Sequence, residues 1–164
     1  MTEKNTTSTV FIRRAEEKDI PIIMDLLSQV LAVHAEGRPD IFKSNVTKYG
    51  EDELKEIFAD EKRPVFVAES GGTVRGYAFC QLTCPQNSSV LLPVKTLYID
   101  DLCVDSSYRG KKIGTALFEA VKSFAKAEKC HNITLNVWAC NTAALKFYES
   151  LGMTPQREYK EYIL

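Results

Sequence analysis

The stretch LCVDSSYRGKKIGTAL, from Leu102 to Leu117, decides the fold. It starts as an apolar, strand-like run and continues into an amphipathic helix. The turn between them carries three cations and two glycines: Arg109, Gly110, Lys111, Lys112 and Gly114. The first N–H groups of a helix have no partner inside the helix, and their partial positive charge attracts anions. Because glycine lets a ligand approach the backbone, the turn predicts an anion site.

The composition is that of an ordinary globular protein. The chain has 164 residues, 45% of them hydrophobic and 26% charged, with a net charge of −1. This length fits a single domain. Since no general basic field is present, the anion site is local and no nucleic-acid partner is expected.

The sequence also limits where the protein acts and what it binds. It shows no leader peptide and no continuous apolar run of about 18 residues, so we expect a cytoplasmic protein without a membrane partner. Five cysteines without a C-x-x-C pair are typical of reduced thiols. The adjacent Cys130 and His131 have no further ligands near them, and we expect no metal.

The periodicity predicts an α/β (α+β) fold with a mixed central sheet. The order is strand, two helices, three strands, helix, strand, helix, strand. We expect helices at 20–35 (capped by Asp19, with Pro21 in its first turn), at 51–59, from about Lys111, and from Asn141 to Ser150. We expect strands at 10–14, 64–70, 73–82, 94–104 and 132–138, and a closing strand in 153–164. Gly71 and Gly72 form a hairpin turn, and Gly76 marks a bulge.

Known phosphate-binding motifs do not fit the turn. A Walker loop needs four residues between its glycines and then Lys-Ser/Thr, whereas here three residues intervene and Thr115 follows Gly114. The dinucleotide fingerprint G-x-G-x-x-G also fails. The residues alone leave open a basic helix start that happens to carry two glycines.

The turn resembles the acyl-CoA-binding motif of the GCN5-related N-acetyltransferases (GNAT), Gln/Arg-x-x-Gly-x-Gly/Ala. Arg109, Ile113 and Gly114 match it. Lys112 replaces the first glycine of the motif. It keeps the N–H and adds a cation, but leaves a left-handed backbone at this position in question.

A second motif supports the resemblance. NTAALKFYESLGM, from Asn141 to Met153, is similar to the family's Asn-x-x-Ala-x-x-Phe-Tyr-x-x-x-Gly-Phe, with Met153 in place of the last aromatic residue. The polar residues 1–7 are expected to be a flexible tail. The resemblance implies one N-acetyltransferase domain at 8–164, with acetyl-CoA in a splay between central strands. The residues implied to contact it are Leu102, Cys103, Val104, Arg109, Gly110, Lys111, Lys112, Ile113, Gly114, Thr115, Asn141 and Tyr148.

The resemblance also implies a mechanism. Tyr148 would protonate the leaving thiolate, although its helical stripe with Ala144, Phe147 and Leu151 also fits a packed aromatic residue. Cys103 could be a nucleophile, but no histidine or cation stands beside it in sequence, so direct transfer is favoured.

Two consecutive acids, Asp100 and Asp101, precede the turn. On a regular strand their side chains point to opposite faces. YIDDLCVDSSYRG is similar to the diamine (spermidine/spermine) acetyltransferases, which implies that these acids receive a cationic acceptor. We expect Asp100 to act as base through a water molecule and Asp101 to anchor the acceptor, with one of them solvated as the alternative.

The segment HAEGRPDIF, from His34 to Phe42, lies where the family builds its acceptor pocket. His34, Arg38, Asp40 and Phe42 are candidates for substrate binding. Equally, His34 belongs to the core and Arg38 is solvated. The predicted function is acetylation of a primary amine, favouring a small or polyamine-like acceptor over a protein N-terminus or lysine. The alternative is a non-catalytic CoA-binding or interaction module, and the strand near Glu158 to Leu164 could pair in a homodimer.

Overall fold

The structure is a computed structural model that describes residues 9–164, so the predicted tail at 1–7 lies outside the described residues. The strands in this range are β1 (Val10–Arg14), β2 (Val65–Ser70), β3 (Thr73–Thr83), β4 (Thr96–Val104) and β5 (Asn132–Leu135). The α-helices are α1 (Ile20–Gly37), α2 (Glu51–Ala59), α3 (Ile113–Ala127) and α4 (Thr142–Ser150).

The five strands form one mixed sheet in the order β1-β2-β3-β4-β5. The first four are antiparallel, and β5 runs parallel to β4. Gly71 and Gly72 make the β2–β3 turn with φ of 61° and 77°, left-handed values that favour glycine. The register shifts between Ala68 and Glu69, beside Gly76, which confirms the predicted bulge.

Helices cover both faces of the sheet. Leu26, Leu27 and Leu54, from α1 and α2, are buried in one core cluster with Tyr77 and Phe79 of β3. On the other face, α3 buries a stripe against β3 and β4: Ile113, Leu117, Phe118, Val121 and Ala125. Each fully buried side chain of this size contributes about 1.5–3 kcal/mol, so the two clusters fix the sheet between its helices. The predicted fold class is confirmed.

The first helix begins as predicted, but Asp19 does not cap it by hydrogen bonding. Asp19 occupies the N-cap position and Pro21 lies in the first turn. Its carboxylate accepts hydrogen bonds from the Arg13 guanidinium at 2.7 and 2.9 Å instead. The ion pair to β1 takes the place of a cap because Asp19 is buried, with 4% exposure, and a buried carboxylate needs a charged partner.

The predicted closing strand is wrong. Residues 153–164 form neither helix nor strand, and Tyr159, Tyr162 and Ile163 are exposed. The predicted strand at 132–138 is also shorter, because β5 ends at Leu135. Alternation alone does not make a strand unless one face meets a core, and beyond Met153 the residues of this segment are exposed.

The segment Glu17–Gly37 is long and apolar enough to cross a membrane by length and composition alone. Our sequence criterion of continuous apolar residues did not select it. Its inward side chains Ile20, Ile23, Leu26 and Leu27 are buried against the sheet. Only 22% of the apolar window is buried, so its packing is that of an amphipathic helix with one face on the sheet.

Candidate active site

Strand β4 loses one of its neighbours half-way along. It pairs with β5 only from Thr96 to Ile99, whereas its pairing with β3 continues to Val104 opposite Gly76. Beyond Ile99 the side of β4 that faced β5 therefore has no strand partner among residues 9–164. This is the predicted splay, and it leaves backbone donors and acceptors free to bind another molecule.

A bulge at Asp100 changes the direction in which the Asp100 side chain points. Phe79 lies opposite Asp101 and Cys80 opposite Ile99, so Asp100 is an extra residue on β4. The Tyr49 hydroxyl donates to Asp100, and the Tyr77 hydroxyl donates to Asp101 at 2.9 Å. Both tyrosine rings pack on Phe79, at 5.5 and 4.9 Å between ring centroids. The prediction that the two carboxylates point to opposite faces is wrong, because the extra residue breaks the alternation.

Asp101 has a perturbed carboxyl group. Burial raises its pKa to about 6; nearby Lys48 and the Tyr77 hydrogen bond oppose the rise, and the charge of Asp100 adds to it. Asp101 makes no ion pair with any residue in 9–164. A carboxylate with a pKa close to neutrality can take up a proton and release it again.

Asp100 is already paired with a cation. The Lys48 ammonium lies 2.9 Å from Asp100 Oδ2 and 3.2 Å from the Asp100 carbonyl oxygen. It also lies 5.5 Å from the centre of the Tyr49 ring. Sequence reasoning missed Lys48 and Tyr49, because they reach β4 only through packing of the segment before α2.

The glycine-rich turn presents a row of free backbone amides. Successive N–H groups from Arg109 to Thr115 have no hydrogen-bond partner within residues 9–164, and the next one, Ala116, donates to Lys112. Gly110 has φ 76°, and Lys112 has φ 61°. Lys112 thus adopts the left-handed backbone that the sequence left in question, at a cost of about 1–2 kcal/mol. Free amides and local cations make this turn fit a pyrophosphate.

Helices α3 and α4 touch where Phe147, the neighbour of Tyr148, packs against Gly114. A Cβ placed on Gly114 would be 3.0 Å from the Phe147 ring, and the Phe147 and Tyr148 rings are 5.2 Å apart. The Asn141 side chain caps α4 by accepting from the Ala144 N–H at 3.2 Å. Burial first, and then the charge of Asp101, raise the pKa of Tyr148 above its ordinary value of 10. Its hydroxyl therefore keeps its proton at neutral pH.

Cys103 is buried, and its thiol is expected to be unreactive. It is 3% exposed, and its Sγ lies 3.6 Å from the Leu26 carbonyl oxygen. Burial raises its pKa to about 12. Since the thiolate is the reactive form, this cysteine does not fit a nucleophile.

The predicted acceptor segment forms an aromatic cluster with Trp138. His34 stacks on Phe42 at 5.1 Å, and Trp138 packs edge-on against Phe42 at 5.0 Å. Burial and the nearby Lys48 charge lower the pKa of His34, so the ring is neutral at pH 7. Trp138 was missed because it follows β5, far from Phe42 in sequence.

Arg38 is not a free solvated cation. Its guanidinium donates to Asp40 at 2.7 and 2.9 Å and to Glu161 in the C-terminal segment. The structure therefore brings His34 and Phe42 together, whereas both Arg38 and Asp40 are engaged with each other.

Comparison with known families decides the assignment. Residues 32–153 match the model of the acetyltransferase (GNAT) family, and this range contains the splay, the amide-rich turn and Tyr148. The chain belongs to the GNAT family. The match places the chain in the class of acetyl-CoA-dependent N-acetyltransferases, and it supports the family as a whole rather than the diamine acetyltransferases in particular.

The chain is also similar to a curated protein and to solved structures. A crystal structure of a mutant of the BH1408 protein from Bacillus halodurans has a TM-score of 0.90 and 34% identity, covering 94% of this chain and 99% of that one. Glucosamine 6-phosphate N-acetyltransferase 1 of Dictyostelium discoideum is 36% identical over 52 residues, 32% of this chain and 31% of the relative. The chain matches less than half the length of this curated relative. An aminoglycoside N-acetyltransferase in complex with CoA shares the fold, with a TM-score of 0.71 at 16% identity over 94% of this chain and 98% of that one.

Proposed function

We propose that this protein transfers acetyl from acetyl-CoA to the primary amine of a small cationic acceptor by direct attack. The observation that carries the proposal is the row of free amides from Arg109 to Thr115. Gly114 of this row lies against Phe147, the neighbour of Tyr148. Acetyl-CoA supplies the activated thioester and a pyrophosphate that fits this turn. The names of the relatives support an amine acceptor, since they act on glucosamine 6-phosphate and on aminoglycosides.

The turn and β4 would hold the two ends of the cofactor. Arg109, Lys111 and Lys112 add positive charge to the amides around the pyrophosphate. Lys111 is held near the turn by the Tyr108 ring, 4.3 Å from its ammonium. The free backbone of Leu102 to Val104 offers amide partners to the extended arm and N–H donors for charge on the acetyl oxygen.

Asp101 would accept the proton of the amine. An amine of lysine type has a pKa near 10.4 and arrives as ammonium, so it must lose a proton before it attacks. We expected Asp100 to be the base and Asp101 the anchor. The structure favours exchanging these roles, because Asp101 has the raised pKa and no cation partner whereas Asp100 is paired with Lys48.

Tyr148 would donate a proton to the departing thiolate. Its hydroxyl makes no hydrogen bond to the described protein and keeps its proton at neutral pH. The neutral aromatic cluster of His34, Phe42 and Trp138 would border the acceptor.

The test is an acceptor screen with purified protein and acetyl-CoA, reading thiol release across amines, amino sugars and peptides. We expect release only with amines, and release about 10²-fold slower in Tyr148→Phe. Tight CoA binding without release for any acceptor would contradict the proposal and leave the non-catalytic CoA-binding module as the function.

A further inference from the structure

The groups around the Lys48 ammonium could bind any ammonium group. Its Nζ is 2.9 Å from a carboxylate oxygen of Asp100, 3.2 Å from the carbonyl oxygen of the same residue and 5.5 Å from the centre of the Tyr49 ring. A carboxylate, a carbonyl and an aromatic face are the groups that proteins use to hold ammonium.

This arrangement lies directly beside Asp101, the acid without a cation partner among residues 9–164. The bulge at Asp100 puts its carboxylate on the same sheet face as that of Asp101, and both reach tyrosines that pack on Phe79. Asp100 is therefore paired with Lys48, whereas Asp101 has no cation partner among residues 9–164. Two adjacent acids on one face match a ligand with two positive charges.

Lys48 can leave this position at little cost. Its side chain is 41% exposed and that of Asp100 is 24% exposed. The residue lies between α1 and α2, outside any helix or strand. Exposed ion pairs contribute little to stability, and the long lysine stem can turn into solvent.

We propose that Lys48 is a placeholder in a second cation subsite, and that an acceptor with two ammonium groups displaces it. The reacting amine then lies at Asp101 while the other ammonium lies between Asp100 and Tyr49. This inference rests on the proposed function and names its substrate class, a diamine or larger polycation. Lys48 therefore weakens the binding of a diamine, because the second ammonium must displace it, and does not affect an acceptor with one amine.

The experiment compares two acceptors of equal chain length, putrescine with two amines and n-butylamine with one. Lys48→Met keeps the stem and removes the charge. Assayed above about pH 8, where Asp101 is ionised with or without the Lys48 charge, it should lower the KM for putrescine about two- to fivefold, the range of an exposed ion pair, with kcat unchanged and the KM for n-butylamine unchanged. Lys43→Met, an exposed lysine of the same segment, is the matched control and changes neither KM.

Other outcomes overturn the inference. A higher KM for putrescine in Lys48→Met would mean that Lys48 helps to bind the acceptor. An equal change for both amines, or no change for either, would mean that Asp100 holds no second cation.

Calorimetry separates this failure from failure of the proposed function. Putrescine is titrated into protein saturated with CoA, which requires no turnover, and it should bind more tightly to Lys48→Met than to the unmodified protein. If n-butylamine is acetylated but putrescine binds equally to both proteins, only the placeholder is wrong. If neither amine is acetylated, the proposed function fails, and tighter putrescine binding to Lys48→Met would still uphold the subsite.

Discussion

The two halves of β4 differ in how many neighbours they have. Residues 96–99 pair with β3 on one side and β5 on the other, and they belong to the sheet interior. Within residues 9–164, the second half begins with the bulge at Asp100 and pairs from Asp101 to Val104 with β3 alone, and it carries two acids and free backbone groups. The difference shows that a binding site can arise in the middle of a sheet when one neighbouring strand ends early.

The largest expected effect tests whether the second half of β4, the open half from residue 100 to 104, borders a catalytic site. Tyr148→Phe should lower kcat about 10²-fold, because the thiolate then leaves without a positioned proton donor. The Kd for CoA should not change, since the phenol is not part of the turn. Thiol-release kinetics and calorimetry measure the two quantities. Tyr162→Phe, on an exposed ring, is the control, and an equal loss there would show that the effect is not local.

Asp101 at the start of the open half should control the pH dependence. With a pKa of about 6, the carboxylate accepts a proton only above that pH, so kcat/KM should rise with pH through about 6 and then level. Asp101→Asn should lower the rate about 10²-fold and abolish this inflection. An inflection that persists in Asp101→Asn would assign the proton acceptor to another group.

Ionisation of Asp101 should lower the stability of the folded protein. The folded pKa of Asp101 lies above its ordinary value of 3.8, so ionisation on raising the pH through about 6 destabilises the folded state. Asp101→Asn should therefore raise the free energy of unfolding by about 1–3 kcal/mol near pH 8, and the gain should vanish below about pH 4. Urea unfolding at the two pH values measures it. A gain that is equal at both would contradict the linkage.

Two glycines with similar backbones separate binding from folding. Gly110 and Gly152 have φ of 76° and 86°, and a Cβ on either would meet no atom within 4 Å. Alanine at each should cost about 1 kcal/mol of stability through backbone strain. Only Gly110→Ala should also weaken CoA binding, about tenfold. The strained backbone would reorient the free N–H groups of the turn. Equal CoA affinity in both variants would place the pyrophosphate elsewhere.

The smallest effect is expected at Cys103, which lies in the open half but points into the core. Cys103→Ala should leave kcat unchanged within about twofold, because its pKa of about 12 keeps the thiol protonated. It should cost about 1–2 kcal/mol of stability through the lost packing. A loss of turnover, with an acetylated cysteine in the unmodified protein by mass spectrometry, would revive covalent transfer.

Local patterns predicted most of the fold. The stripe of α3, the Gly71–Gly72 turn and the Asn141 cap each depend on residues close in sequence, and all three are confirmed. The amide-rich turn was predicted for the same reason, although Lys112 adopts a backbone that glycine prefers.

What the sequence could not predict depends on pairing between distant segments. One extra residue at Asp100 reversed the expected direction of an acid, and nothing in the sequence of β4 marks it. Lys48 and Trp138 join the site through packing alone. The alternation near Tyr159 predicted a strand, but a strand forms only where a partner and a core face exist.

A crystal structure of the protein with bound CoA tests the central claim most directly. The account predicts the pyrophosphate on the amides of Arg109 to Thr115 and the thiol beside Tyr148, along the backbone of Leu102 to Val104. CoA bound at any other surface, with the splay beyond Ile99 still free, would contradict it.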